Sequence, residues 1–153
     1  MLARLARPDD ADELVRLRGV MMASVHGHAP IPGDWQRHAA DTFRIRTAEG
    51  TLAAFVVDRP DTSGLAACAV GTIERRLGGP DNPTGDNGYV FNVATDPDQR
   101  RRGYSRACMV ALLDWFQARG VTRISLTAST EGEPLYRSLG FADISVPTLR
   151  VHL

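Results

Sequence analysis

Lysine is absent from the 153 residues, so all 18 basic side chains are arginine, set against 18 Asp and Glu. The formal charge is +0. That balance lacks the basic excess of a general nucleic-acid binder, although it leaves room for a local anion site. Cysteine is scarce. Cys68 and Cys108 sit in apolar surroundings and read as reduced core residues. They form no metal-type pair, so no metal is expected. No run approaches the ~20 apolar residues that span a membrane. The N-terminus, MLARLARPDDADE, turns acidic where a secretory signal would turn apolar. Repeats and low-complexity tracts are missing too. These absences describe one soluble, cytoplasmic domain across residues 1–153, with no nucleic-acid or membrane partner.

Apolar periodicity supplies the elements. Leu2 and Leu5 suggest a short first strand. Pro8, Asp9 and Asp10 have the proline and acids of a first helical turn. Leu14, Leu17, Val20 and Met21 carry that helix to about Ser24. VHGHAPIPGD is a loop, and Trp35 to Arg46 reads as a second helix. The period then shortens. TLAAFVVD and LAACAVGTIERRL, separated by RPDTSG, predict a hairpin. GGPDNPTGDNG predicts a long loop that is either mobile or ordered by a ligand, and YVFNVAT is the strongest strand signal. Tyr104, Cys108, Ala111, Leu112 and Trp115 define the next helix, which Arg119 and Gly120 close. VTRISLTA predicts a strand. TEGEPLYRSLG predicts a short helix opened by a Thr130–Glu133 capping box. FADISV and LRVHL predict two closing strands. The order is strand, two helices, three strands, helix, strand, helix, two strands. This is an α/β chain with an α+β mixed sheet and helices on its faces.

The densest chemistry lies between the strong strand and the following helix, in DPDQRRRGYSRACM. A strand, tight turn and helix expose backbone N–H groups at a helix N-terminus, where the dipole favours an anion. Gly103 lets the backbone come close to phosphate, Ser105 is small, and the arginines can add charge-assisted hydrogen bonds. The P-loop lysine and its glycine spacing are missing, as is the three-glycine dinucleotide pattern.

The run Arg100-Arg101-Arg102-Gly103-Tyr104-Ser105 resembles the central motif of the GNAT N-acyltransferase superfamily: Arg or Gln, two residues, Gly, one residue, then Gly or Ala. Ser105 departs mildly from the last position. YVFNVAT upstream and LYRSLGF downstream extend the resemblance over about residues 88 to 142. The earlier half fits by element order alone. The resemblance implies a GNAT-like acyl-CoA N-acyltransferase fold with acetyl-CoA as co-substrate. It also implies a splayed fourth strand whose free backbone at Val93, Ala94 and Thr95 takes the pantetheine arm and thioester carbonyl. The pyrophosphate would dock on the N–H groups from Arg101 to Arg106. The Arg100, Arg101 and Arg102 side chains face either phosphate or solvent.

The implied reaction is direct attack by a primary amine of a small molecule or peptide on the thioester. The resemblance gives Tyr136 as the donor to the leaving thiolate and a backbone N–H, that of Val93, as the oxyanion donor. Ser129 stands where many relatives carry an asparagine that touches the pantetheine arm, and its reach is shorter. The base stays open among Glu74, His26, His28, Asp86 and relayed water. Asn92 either orients a group on the fourth strand or faces a polar surface. Cys108 lies in an apolar stripe with no histidine beside it and reads as core. Three further readings stand beside the enzyme: a non-catalytic acyl-CoA sensor of the same fold, a nucleic-acid module on the arginine run, and a possible homodimer that no particular residue marks.

Overall fold

The computed structural model describes residues 2–153. Among them, five strands form one mixed sheet in the order β1 (Arg4–Leu5), β2 (Leu52–Asp58), β3 (Leu65–Arg75), β4 (Asp86–Thr95), β5 (Ile124–Leu126). Neighbours pair antiparallel except β4 and β5, which are parallel. The helices are α1 (Ala11–His26), α2 (Asp34–Glu49), α3 (Tyr104–Ala118) and α4 (Glu133–Ser138). A 3-10 turn over Pro8–Asp10 leads into α1, so the predicted proline-acid start holds one turn early.

Each face of the sheet buries its own apolar cluster. Leu14 and Leu17 of α1 and Phe43 of α2 pack on Val56, Cys68 and Val70. Cys108, Met109, Leu112 and Phe116 of α3 pack on Ala67, Ala69 and Val90. Residues 65 to 71 of β3 are therefore buried on both faces, which is why LAACAVG reads as a continuous apolar run. Small residues there let α3 come close. A Cβ built on Gly71 would meet Phe116 Cζ at 2.7 Å, and one on Gly88 would meet Phe116 Cε1 at 2.9 Å. A side chain at either position would collide with the Phe116 ring, so glycine lets that ring rest against the sheet.

Four expectations change. The glycine-rich loop is shorter than predicted, because Asp86, Asn87 and Gly88 belong to β4. Its remainder is held by Arg76 N–H to Gly85 O at 2.9 Å and Asn82 Nδ2 to Asp86 O at 3.0 Å. The predicted strand over 121 to 128 pairs only over Ile124–Leu126. The Thr130–Glu133 capping box does not form: Ser129 Oγ accepts from Gly132 N–H at 3.1 Å and occupies that role. FADISV and LRVHL form no strand. Their alternation is present, but no backbone edge meets them, and a strand exists only as part of a ladder.

Candidate active site at the gap between β4 and β5

β4 and β5 pair at Gly88–Ile124, Tyr89–Ser125 and Val90–Leu126, and then part. No β5 residue pairs with Phe91 to Thr95, so that edge of the backbone is open. The divergence has a local cause in β4 itself. Cys68 faces Ala94 while Val70 faces Phe91, so Asn92 and Val93 together stand opposite Ala69. This is a bulge, which bends the strand and re-aims its groups. Asn92 adopts φ 55 to make it, a left-handed conformation that asparagine tolerates better than most residues. Cys68 Sγ donates to Asn92 O at 3.2 Å and pins the bulge from the neighbouring strand.

Beyond β4 the chain turns through Pro97–Gln99 into α3. Arg101 has φ 62 and Gly103 has φ 77. Gly103 is the N-cap of α3 and has no side chain to cap it, so the first N–H groups of this helix point outward unsatisfied. Thr95 and Ser105 share a hydrogen bond of 2.5 Å that locks the strand end to the helix start. The turn is also held from behind. The buried Asp96 carboxylate takes Arg16 Nη1 at 2.8 Å, Arg16 Nη2 at 3.0 Å and Arg59 Nη1 at 2.6 Å. Glu13 in turn accepts from Arg16 Nε at 2.6 Å, and its carboxyl is held below the ordinary range by that arginine.

A cleft of about 450 Å³ occupies the gap. Val93, Ala94, Thr95, Arg100, Arg101, Gly103, Tyr104, Ser105, Arg106, Ser129 and Tyr136 all line it. Arg102 does not; its side chain is exposed beside the turn. Among the described residues, Arg100, Arg101 and Arg102 make no hydrogen bond or ion pair, whereas Arg106 donates to Ser138 Oγ at 2.8 Å. Tyr136 is mostly buried between α3 and β5, and burial pushes its hydroxyl above the usual tyrosine value. It therefore stays protonated at neutral pH and can donate.

Sequence reasoning did not find the other wall. Val20, Met21, Ser24 and Val25 of α1 line the cleft, as do Gln99, Glu131 and Leu135. Ser24 Oγ donates to Glu131 Oε2 at 3.0 Å across a separation of 107 residues. Only the helical period of α1 hinted at this face. The carboxylate in the cleft is Glu131 and not Glu74 or Asp86, which sit at the far end of β4 opposite Asn87 and Arg75. Glu74 is engaged by Arg76 at 2.9 Å. The glycine-rich loop lies at that far end too. His26 and His28 do not line the cleft, and Asn92 lines a neighbouring cavity of about 220 Å³ under α1 and α2. Cys108 is fully buried and its thiol is pushed up to about 12 by that burial, so packing accounts for it. Among the described residues, no group of three or more His, Cys, Asp or Glu could hold a metal ion, and no helix is long and apolar enough to cross a membrane.

The fold matches solved structures along nearly its whole length. A predicted acetyltransferase with acetyl-CoA from Clostridium acetobutylicum superposes with a TM-score of 0.85, at 24% identity over 98% of this chain and 94% of that one. A GCN5-related N-acetyltransferase from Ralstonia eutropha JMP134 gives 0.76, at 23% identity over 97% of each chain. In sequence, a [ribosomal protein bS18]-alanine N-acetyltransferase from Escherichia coli (strain K12) is 36% identical over 64 residues, covering 40% of this chain and 43% of that protein. Its counterpart in Haemophilus ducreyi is 34% identical over the same length. The match thus spans less than half the length of these curated relatives. The profile of the acetyltransferase (GNAT) family covers residues 22–141, from the end of α1 to the Gly-Phe after α4. With the motif turn, the parted strands and that alignment in agreement, the chain belongs to the acetyltransferase (GNAT) family.

Proposed function

We propose that the protein is an acetyl-CoA-dependent N-acetyltransferase acting on a primary amine of a small molecule or peptide, with its donor site in the β4–β5 cleft. The observation that carries this reading is the open edge of β4 at Val93 to Thr95, which leads straight into the uncapped N-terminus of α3. Free backbone donors along the edge suit an amide-containing arm, and the helix N-terminus suits a pyrophosphate. The unpaired guanidinium groups of Arg100 and Arg101 border the same space and suit the remaining phosphate charge.

Acetyl-CoA supplies the acetyl group as a thioester, activated toward amines. The chain's residues then have three tasks. The N–H of Val93, aimed by the bulge, stabilises the carbonyl oxygen as charge develops on it. Tyr136 gives its hydroxyl proton to the departing sulfur as the C–S bond breaks and the C–N bond forms. The proton released by the amine passes to water or to a carboxylate of the cleft wall, where Glu131 stands. Ser129 already accepts a hydrogen bond from Gly132, so its contribution to the arm is its remaining donor proton. The names of the curated relatives make a peptide with a free N-terminal alanine the first acceptor to try.

The test is coenzyme A release from acetyl-CoA with alanine-starting peptides and small amines. Turnover is expected with wild type. Tyr136→Phe should lower kcat by ~10²–10⁴-fold with donor affinity nearly unchanged. Tight acetyl-CoA binding with no release for any amine would identify a sensor instead.

A further inference from the structure

α1 and α2 do not close fully on the sheet beside the cleft. A cavity of about 220 Å³ lies beneath them, walled by Leu14, Val15, Phe43, Leu52, Val70 and Phe91. A cavity of ~150 Å³ lined by leucine, isoleucine and phenylalanine takes benzene, so this one has room for a branched alkyl or phenyl group. The cavity adjoins the cleft along two elements. On β4, Phe91 and Asn92 line the cavity, and Val93 to Thr95 line the cleft. On α1, Val15 and Arg18 line the cavity, and Val20 and Met21 line the cleft.

Asn92 and Arg18 interrupt the apolar wall. Asn92 Oδ1 is sealed from solvent and accepts no hydrogen bond, while its Nδ2 donates to Cys68 Sγ at 3.9 Å. Asn92 is 8% exposed, so an unused acceptor here is destabilising until a donor meets it. Arg18 is half-buried, and among the described residues it makes no hydrogen bond or ion pair. Its guanidinium keeps its charge at any physiological pH, and a partly desolvated fork of donors fits a carboxylate. Arg18 stands three residues before Met21, about 4.5 Å along the helix axis. A donor at Asn92 and an anion at Arg18 therefore fit one small molecule, with an apolar group between the helices and the sheet. An apolar pocket with a few placed polar groups is the usual form of a small-molecule site.

We propose that this cavity binds an α-amino acid with a branched or aromatic apolar side chain and a free carboxylate, and that this molecule is the acceptor. The side chain fills the cavity, the carboxylate pairs with Arg18, and the amine donates to Asn92 Oδ1. The acceptor role rests on the acyl-transfer reading; amino-acid binding does not. Asn92 precedes Val93, whose N–H that reading gives to the thioester carbonyl, so an amine held by Asn92 lies beside the carbon it attacks. The neutral amine forms the C–N bond as the C–S bond breaks. Sulfur takes the Tyr136 proton, the nitrogen gives one up to water or Glu131, and Tyr136 is reprotonated from solvent. A peptide N-terminus has no carboxylate on that carbon, and alanine leaves the cavity unfilled, so both fit less well than phenylalanine or leucine.

Calorimetry on the full chain separates the site from the reaction. L-phenylalanine and L-leucine should bind, and phenethylamine and isoamylamine, which lack the carboxylate, should bind at least about tenfold more weakly. Arg18→Gln should erase that difference, and Arg18→Lys should restore part of it. Ala39→Phe narrows the cavity and should weaken phenylalanine binding more than alanine binding. Far-UV circular dichroism should match wild type for all three variants. In coenzyme A release, the preference for phenylalanine over phenethylamine should appear in KM rather than kcat and should vanish in Arg18→Gln. No amino-acid binding, or binding that Arg18→Gln leaves unchanged, overturns the proposal even if other amines are acetylated. Binding that needs Arg18, with no coenzyme A release from any amine, keeps the amino-acid site and overturns its acceptor role together with the transferase reading.

Discussion

The two halves of β4 differ in what surrounds the same backbone. Gly88, Tyr89 and Val90 have β3 on one side and β5 on the other, and Phe116 lies across Gly71 and Gly88. Val93 to Thr95 keep β3 but face a cleft on the other side. A gap between strands normally closes, because unpaired backbone groups away from water are costly. Here it stays open because both of its ends are fastened. The closed half clamps one end, and the other is fastened by the Thr95–Ser105 bond and the Asp96–Arg16–Arg59 cluster. An open edge useful for binding is thus a property of the rigid parts that flank it.

Attacking the closed half should have the largest effect. Phe116→Ala empties the space over Gly71 and Gly88 and should cost about 3–5 kcal/mol of stability, read from urea denaturation. At the open half, Gly103→Val should cost about 1–2 kcal/mol of stability, because a β-branched residue is strained at φ 77, and should weaken acetyl-CoA binding tenfold or more, ~1.4 kcal/mol per tenfold. Calorimetry reads this directly. A Cβ at Gly103 meets nothing within 4 Å, so the loss would come from the φ 77 backbone and from crowding of a phosphate. Equal affinity for the two proteins would move the donor site elsewhere.

The bulge between the halves offers a finer test. Asn92→Ala should cost about 1 kcal/mol, because alanine tolerates the left-handed region poorly, and Asn92→Gly should cost little. If both cost the same, the side chain rather than the backbone turn holds the bulge. The smallest effect is acid sensitivity at the fastening point. Arg16 holds the Glu13 carboxyl below its ordinary value, so this contact stabilises the fold above the unfolded value near ~4.3. Its contribution fades as pH falls through the lower folded value. Thermal unfolding between pH 7 and 3 should show a decline beginning below about pH 4.3, shallower in Glu13→Gln. Hydrogen exchange should show loosening first at residues 95 to 99.

The closed half was legible in the sequence and the open half only in part. Continuous apolar runs announced β3, and β-branched residues announced β4, because burial on two faces leaves a compositional trace. The Arg100–Ser105 turn was legible because its glycine and helix start are local. The bulge was not, since one asparagine inside a strand pattern carries no sign of a positive φ. Nor was the Ser24–Glu131 contact or the Asp96 cluster, whose members lie 37 to 107 residues apart. The capping box failed for a local reason: Ser129 competed with Thr130 one residue away, and both spell the same signal. The closing strands failed because alternation specifies a face and not a partner.

Cys68 and Cys108 have zero exposure and lie on opposite faces of the sheet, one in each apolar cluster. Burial raises both thiols well above their usual value, and a protonated, sealed sulfur does not react with disulfide reagents. Each is therefore a built-in clock for opening of the layer that covers it. Modification of Cys68 would time the lifting of α1 and α2, and modification of Cys108 the lifting of α3. Reaction of both at one common rate would mean that the two layers open together.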